Sequence, residues 1–303
     1  MSPGRATIQP MLANRPSASF LDRLPHLPRL GLGVSTEFGA AQAPGALDLA
    51  VLRERHPAYA GFLEIGIETA KGIDADARAW TARGLPTTYH YLDINLDEPE
   101  DFDAEWLDDV RRIAAEIRPA WLCGDAGMWH LGRRERGHML LLPPILTETA
   151  ADAMADGIAC LRAEVGLEVL PENPPGAAYL GDLHLLDFFA RVLERADTGM
   201  LLDCAHLAIF QRLRGLPPTA GLDAFPLERV VEIHVAGGSE RRHEAFAWVE
   251  DDHSPEVLAD TWTIVEQVIA RAPNLRAVVY ECERNPLDAC LPGFGRLATL
   301  LGG

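Results

Sequence analysis

Potential metal ligands end almost every short apolar segment of this 303-residue chain. The polar side chains at or just beyond these ends are mostly carboxylates and imidazoles: Glu64, Glu68, His90, Asp125, Glu172, Asn173, Asp203, His206, His234, Asp251, Asp252, His253 and Glu281. Carboxylates packed together without a cation repel one another, which raises their pKa, and a divalent or trivalent cation removes that repulsion. The set is larger than one ion needs, so it predicts two or more metal ions bridged by carboxylates.

The ligand types narrow the choice of metal. Imidazole and carboxylate suit iron, manganese or zinc, and we expect no thiolate at matching positions. Iron with open coordination positions is able to bind dioxygen, whereas zinc would only polarise or hydrolyse a substrate. The residues alone leave both kinds of chemistry open.

Eight short apolar segments are expected to position these ligands as β-strands. Each is too short for a helix, and several are rich in Val, Ile and Leu, which is typical of parallel strands that are buried on both faces. The predicted strands are Leu30–Ser35, Gly61–Gly66, Pro86–Tyr91, Pro119–Cys123, Gly166–Pro171, Met200–Cys204, Val230–Val235 and Arg276–Cys282.

Segments with helical spacing of apolar residues lie between the strands, notably Asp103–Ile117, Thr147–Glu164, Leu183–Arg195 and Pro255–Arg271. Strand–helix alternation repeated about eight times predicts an α/β fold, a (β/α)₈ TIM barrel, in which the ends of all strands meet at one mouth. An open Rossmann-type sheet is the alternative, but no G-x-G-x-x-G follows the first strand.

We expect one domain. Residues 1–29 form an N-terminal tail with a short helix near Phe20–Leu24 across the bottom of the fold, and residues 30–303 form the barrel. Two long loops, Gly124–Pro144 and Ala236–Ser254, are expected at the C-terminal face, where barrel enzymes have their active sites.

Charge and composition exclude several classes of partner. The chain has 45 acidic and 27 basic side chains, a net charge of −18, which argues against nucleic acid or an anionic membrane as the main partner. No apolar run approaches the ~18–20 residues that span a bilayer, and residues 1–29 lack the apolar region of a secretory signal. We therefore expect a cytoplasmic protein.

The five cysteines are an odd number without framework spacing, so they are expected to be reduced thiols. Side chains alternate along a strand. If Asp203 and Glu281 face the barrel axis, Cys204 and Cys282 must face the helices, where they are more typical of small buried packing residues than of ligands.

The motifs occur in an order that resembles a known family. They are G-L-G-V-S at Gly31–Ser35, F-L-E-I-x-x-E at Phe62–Glu68, Y-H at Tyr89–His90, P-E-N at Pro171–Asn173, L-L-D-x-x-H at Leu201–His206, E-I-H-V-A-G at Glu232–Gly237, D-x-H at Asp251–His253 and Y-E at Tyr280–Glu281. This series resembles the multinuclear non-haem iron-dependent oxidases of the methanobactin biosynthesis oxidase type, which are TIM barrels. The chain departs from them at Gly66, where the family usually has His, and at Asp125–Ala126, where it has Glu-His, so we expect a divergent member.

The resemblance implies an oxidoreductase with two or three non-haem irons, dioxygen as co-substrate, and a ribosomally made precursor peptide as substrate, modified at a cysteine. A small partner protein usually presents the peptide. The implied ligands are His90, Asp125, Glu172, Asp203, His206, His234, Asp251, His253 and Glu281, with Asn173 as a possible further one. Asp125, Asp203 and His234 are assigned catalytic roles.

Substrate contacts are predicted at Glu68, Arg241 and Arg242. A lid is also considered in the loop after the fourth strand, from Trp129, His130 and His138 with Arg133, Arg134 and Arg136. Two other functions stay open beside the oxidase. One is a xylose-isomerase-like metalloenzyme, which is a sugar isomerase, an epimerase or a phosphodiesterase. The other is a non-catalytic metal-dependent binding protein.

Overall fold

The fold is a closed barrel of parallel strands surrounded by helices, as predicted. A computed structural model describes residues 18–132, 136–244 and 246–302. The strands in that part of the chain are β1 Gly31–Glu37, β2 Leu63–Ile67, β3 Thr87–Tyr91, β4 Leu122–Asp125, β5 Val169–Glu172, β6 Met200–Asp203, β7 Val230–His243, β8 Phe246–Ser254 and β9 Ala277–Glu281. Strands β1 to β7 pair in chain order, and β9 pairs with both β7 and β1, which closes the TIM barrel.

The α-helices within the described ranges are α1 Phe20–Arg23, α2 Leu49–Arg55, α3 Ala75–Ala82, α4 Ala104–Ile117, α5 Glu148–Val165, α6 Leu185–Ala196, α7 Cys204–Arg214, α8 Ala259–Arg271 and α9 Leu287–Leu300. Helices α4 and α5 begin one residue later than predicted, because Asp103 and Thr147 are N-caps whose side chains accept backbone N–H bonds. None of the helices in the described ranges is long and apolar enough to cross a membrane.

The prediction of a loop over Ala236–Ser254 was wrong. Strand β7 continues past the barrel to His243, and β8 returns antiparallel beside it, so the segment is a β-hairpin. The pairing is irregular between Gly237 and Gly238. A Cβ on Gly237 would lie 2.0 Å from the Ser254 carbonyl oxygen, so this close approach of the two strands requires glycine.

Apolar side chains fill the end of the barrel where the strands begin. Phe20 of α1 and Leu24 pack there with Phe62, Trp121, Leu170, Leu201 and Val279. Phe20, Phe62 and Trp121 are completely buried. This cluster, which we call the lower plug, is separate from the larger core between sheet and helices, so the barrel is closed at the end opposite the predicted ligands.

Candidate metal centre

Strand alternation directs the predicted ligands into the barrel. Trp121, just before β4, and Cys123 of β4 belong to the lower interior, and Asp125, two residues after Cys123, lies at the upper end. The register of the paired strands places predicted ligands next to each other: Asp125 lies beside Glu172, and Asp203 lies beside His234. Cys204 and Cys282 pack in the core outside the barrel, among residues that contact the helices.

The first part of the centre is formed by residues from β3, β5, β7 and β9. His90 Nε2 lies 2.8 Å from Glu172 Oε2. His234 Nδ1 lies 3.2 Å from Glu172 Oε1 and 3.2 Å from Glu281 Oε1. Glu172 therefore lies between the two imidazoles, where a carboxylate is able to bridge two ions.

The second part combines β6, the start of α7 and the hairpin. His206 Nε2 lies 2.9 Å from Asp251 Oδ2, and its Nδ1 lies 2.9 Å from the Asn173 carbonyl oxygen. His253 Nε2 lies 3.6 Å from Asp251 Oδ2 and 3.9 Å from Glu281 Oε1. The hairpin thus brings Asp251 and His253 over a mouth that the other strands have already formed.

Unsatisfied polar atoms indicate that these residues fit metal ions. Buried polar atoms are nearly always hydrogen-bonded in folded proteins. Among the residues that the structure describes, the following buried atoms make no hydrogen bond of acceptable geometry: Asp125 Oδ1, Glu172 Oε1, Asp203 Oδ2, both ring nitrogens of His234, Asp251 Oδ1 and Glu281 Oε2. The His234 nitrogens nevertheless lie 2.8–3.2 Å from carboxylate oxygens. Except for Asp251, these residues also belong to overlapping groups of three whose ligand atoms lie within 4.8 Å of one another. Divalent cations would bind to these oxygen and nitrogen atoms as ligands.

Protons compete for the same atoms in the metal-free protein. Burial alone would lower the pKa of His90, but the Glu64 and Glu172 carboxylates outweigh it and raise that pKa to about 9. Burial raises the pKa of Asp203 to about 7, although the His206 imidazole opposes the rise. Both groups therefore hold protons at a pH where their isolated counterparts would have lost them.

Two other carboxylates of the centre shift in the opposite direction. Burial alone would raise the pKa of Glu172, but the His234 and His90 imidazoles outweigh it and lower that pKa. His253 and His206 do the same to the pKa of Asp251. Glu172 and Asp251 are therefore carboxylates that stay ionised and are able to bind a cation.

Asn173 has a different environment from the other predicted ligands. Its side-chain Nδ2 donates to the Asp203 carbonyl oxygen at 2.9 Å, and its Oδ1 accepts the Asp203 backbone N–H at 3.0 Å. Both ends of the amide are therefore bonded to one residue. This arrangement fixes the backbone of β6 where Asp203 enters the centre.

The predicted substrate-contacting residues lie in two places. Glu68 is buried, and its carboxylate pairs with Lys71. Arg241 and Arg242 lie on the hairpin and line a separate groove of about 390 Å³, between the hairpin and α7, with Trp248. They are not among the residues that line the cavity above the metal ligands.

The residues of the candidate lid also lie in different environments. Trp129 lines the cavity and is buried, whereas His138 is exposed. His130 is buried with Nε2 2.9 Å from Asp101 Oδ2, and Arg136 donates to the Asp93 and Asp101 carbonyl oxygens. These contacts fasten the loop to the segment before α4. Arg133 and Arg134 lie outside the described residues.

Sequence reasoning missed Cys123, Glu232 and Glu283 near the centre, and it named Glu64 as a potential ligand but left it out of the implied ligand set. Glu64 lies 2.8 Å from His234 Nε2, and Glu283 lies 2.9 Å from His253 Nδ1. Cys123 and Glu232 form a group with Glu64 inside the barrel. Strand alternation could have found the last two, because each stands two residues before a predicted ligand. The expectation of no thiol near the ligands was therefore incomplete.

Gly66 shows how the family's usual histidine position is used in this chain. A Cβ there would lie 3.1 Å from Leu92 Cδ1, 3.2 Å from Glu37 Cβ and 3.3 Å from the Thr36 carbonyl oxygen. A Cβ at this position would therefore make tight contacts with three neighbours. The cavity of about 220 Å³ beside it is walled by Leu92, Trp129, Met139 and the ligands.

The fold is a TIM barrel with a candidate metal centre at its upper end, and solved structures with this fold match the chain. A xylose isomerase-like TIM barrel protein from Mycobacterium smegmatis, solved in complex with magnesium, matches with a TM-score of 0.56 at 12% identity, over 90% of this chain and 96% of that one. Endonuclease IV from Thermus thermophilus matches with a TM-score of 0.53 at 17% identity, over 90% and 99%. At these identities the similarity concerns the fold alone.

Comparison of sequences identifies the family of this chain more specifically than the fold does. The family described as "RiPP precursor modification enzyme MbnB/TglH/ChrH" matches residues 46–291, and the chain belongs to this family. A relative from Bordetella parapertussis, "UPF0276 protein BPP1075", is 28% identical over 304 aligned residues, which cover 96% of this chain and 97% of the relative. The predicted family resemblance is confirmed, and the family implies a peptide substrate and enzymatic activity.

Proposed function

We propose that this protein is a multinuclear non-haem iron-dependent oxidase that modifies a ribosomally made peptide at a cysteine, with dioxygen as oxidant. The proposal rests on a buried cluster of imidazoles and carboxylates with unsatisfied atoms in a member of a peptide-modifying family. Iron held by such ligands supplies one-electron chemistry and open positions for dioxygen and a thiolate. The remaining steps depend on how the chain orients its ligands and substrate.

The ligands proposed for two or three irons are His90, Asp125, Glu172, Asp203, His206, His234, Asp251, His253 and Glu281. We assign catalytic roles to Asp125, Asp203 and His234, because each keeps an unpartnered buried atom and they come from three different strands. Asn173 is proposed to act through Asp203, whose backbone it holds by two hydrogen bonds.

Apolar surface beside and around the cavity supports a polypeptide substrate. One side is apolar, formed by Leu92, Trp129, Met139, Leu141 and Pro175. Large apolar side chains also stay exposed in segments that follow the upper ends of β1, β4 and β5: Phe38, Leu131, Met139, Leu140, Leu142, Ile145 and Leu180. Exposed apolar surface near a site is typical of polypeptide binding.

The charge of the cavity disfavours a phosphodiester substrate. Its described lining contains no lysine or arginine, whereas Glu37, Glu64, Glu281 and Glu283 contribute carboxylates. Phosphate is usually held by basic side chains or backbone N–H groups. A neutral peptide segment with a cysteine thiol suits this lining better, and the small partner protein of the family would present that segment to the mouth.

The test begins with protein purified without oxygen. We expect metal analysis and Mössbauer spectroscopy to find two or more coupled irons per chain. The iron-loaded protein is then incubated with dioxygen and the cysteine-containing peptide encoded beside its gene, with and without any small partner protein encoded there. We expect a change in peptide mass that requires dioxygen, and no change in a matched peptide whose cysteine is replaced by serine.

Other outcomes would point to the other functions. Zinc, manganese or magnesium alone, with no activity after iron loading, would contradict the oxidase and favour an isomerase-like or hydrolytic enzyme. Tight peptide binding without any chemical change, in protein with a full iron content, would favour a metal-dependent binding protein.

A further inference from the structure

A second group of acidic side chains lies in the barrel between the metal centre and the lower plug. Glu64 of β2, Cys123 of β4 and Glu232 of β7 each offer one ligand atom, and these three atoms lie within 4.8 Å of one another. All three residues are almost completely buried, with exposed fractions of 1%, 0% and 0%. The group is built by three strands and lies one interior layer below Asp125 and His234.

The Glu64 carboxylate faces two directions. Its Oε1 lies 2.8 Å from His234 Nε2, on the side of the metal centre. Its Oε2 lies 3.1 Å from Cys123 Sγ and 3.3 Å from Thr88 Oγ1, on the side of the deeper group. One oxygen can therefore serve the deeper group while the other stays with His234.

Glu232 provides an independent indication that this group binds a cation. Its Oε2 accepts a hydrogen bond from Trp121 Nε1 at 2.6 Å. Its Oε1 is buried and has no hydrogen-bond partner among the residues that the structure describes. A buried carboxylate oxygen without a partner costs free energy, and this one belongs to the side chain that completes the group of three.

The charge of the group also calls for a cation. Two carboxylates and a thiol lie together away from water. Thr88 and Trp121 contribute neutral hydrogen-bond donors, and the His234 imidazole lies against the other oxygen of Glu64. A divalent cation would stabilise the deprotonated side chains.

We propose that Glu64, Cys123 and Glu232 form a second, deeper metal site that binds Zn²⁺ or a similar borderline divalent cation. Zinc accepts thiolate sulfur at about 2.3 Å and carboxylate oxygen at about 2.0–2.2 Å, so two ligand atoms of one ion lie at most about 4.5 Å apart. Cys123 Sγ and Glu64 Oε2 are 3.1 Å apart, and all three ligand atoms lie within 4.8 Å of one another. The site requires no substrate. It is a structural ion that ties β2, β4 and β7 together beneath the metal centre.

Cobalt(II) is the probe, because cobalt bound to a thiolate gives an intense near-ultraviolet charge-transfer band that oxygen and imidazole ligands do not give. We expect the band in the wild-type protein after loading with Co²⁺. It should vanish in Cys123→Ser and persist in Cys290→Ser, which changes a cysteine that is equally buried but lies in α9. The band should also persist in His253→Ala, which changes only the upper centre.

Metal content supplies the second readout. Zinc-loaded wild type should hold one ion per chain more than Cys123→Ser, with no change for Cys290→Ser. X-ray absorption of the zinc-loaded wild type should show a sulfur neighbour at about 2.3 Å, a measurement that does not depend on any variant folding. Metal-saturated wild-type protein that shows neither the cobalt charge-transfer band nor a sulfur neighbour of zinc would overturn the proposal of a deeper site. That result would leave the oxidase proposal intact, since none of these measurements involves iron or a peptide.

Discussion

The two ends of the barrel interior are built from the same strands but have opposite characters. The lower plug is apolar and fully packed, with Phe62, Trp121 and Leu201 completely buried. The upper end holds imidazoles and carboxylates whose buried atoms lack partners. Strand β4 and the residue before it contain both kinds within a short segment, from Trp121 to Asp125.

This difference separates stability from function along the barrel axis. Apolar packing at the lower end stabilises the fold without any ion. The upper end concentrates desolvated charge, which destabilises a metal-free protein and favours metal binding. Changes at the two ends should therefore have different consequences, and the predictions below test that separation.

The largest effect is expected from removing a ligand. His234→Ala or Glu281→Ala should lower iron content and cut any oxidase activity by roughly 100-fold or more, while circular dichroism shows a folded barrel. Each of these side chains contributes an unpartnered atom to the centre. Full iron content in both variants would disprove the site assignment.

A substitution in the lower plug should lower the stability of the fold and leave metal binding unchanged. Phe62→Ala removes a fully buried ring and is expected to lower the free energy of unfolding by about 3–5 kcal/mol. Molecules that remain folded should keep the metal stoichiometry of the wild type. Denaturant unfolding followed with metal analysis measures both quantities, and a loss of metal at unchanged stability would contradict the separation of the two ends.

The pH dependence of the metal-free protein comes from the upper end. The pKa of Asp203 is about 7 and that of His90 about 9, both above the ordinary values of 3.8 and 6.5. The folded protein therefore holds more protons than the unfolded chain, and its stability should fall as the pH rises through 7 and then 9. Glu172 and Asp251 have lowered pKa values, so their stabilising contribution is lost only in acid.

Melting temperatures of metal-free and metal-loaded protein over this pH range test the prediction. The metal-free protein should lose several degrees, at roughly 2–4 °C per kcal/mol. The loaded protein should change less, because the cation has replaced the protons. A metal-free melting temperature that rises steadily from pH 6 to pH 9 would contradict the assigned protonation.

A smaller effect is expected from substituting Glu283, whose carboxylate contacts the His253 imidazole. Glu283 Oε1 lies 2.9 Å from His253 Nδ1, and Glu283 Oε2 accepts from Ser35 Oγ at 3.1 Å. Such a carboxylate fixes the orientation of a metal-binding imidazole. Glu283→Gln should weaken metal affinity by about 10–100-fold, measured by competition with a chelator. Arg242→Ala on the exposed hairpin is the control and should leave affinity unchanged.

Much of the architecture could be predicted because its signals are local. All eight predicted barrel segments overlap an observed strand, since short Val- and Leu-rich runs report burial on both faces. The hairpin over residues 236–254 could not be predicted in this way. Its residues are largely polar and partly exposed, so no apolar alternation marks β8.

The sequence by itself determined that imidazoles and carboxylates would meet at one mouth, because strand ends in a parallel barrel converge whatever the details of packing. Only the tertiary structure decided which atoms are neighbours. Strand register places Asp203 beside His234, and barrel closure brings Glu64, Cys123 and Glu232 together. These contacts join residues as far apart as 168 positions in the chain, from Glu64 to Glu232, so no local pattern encodes them.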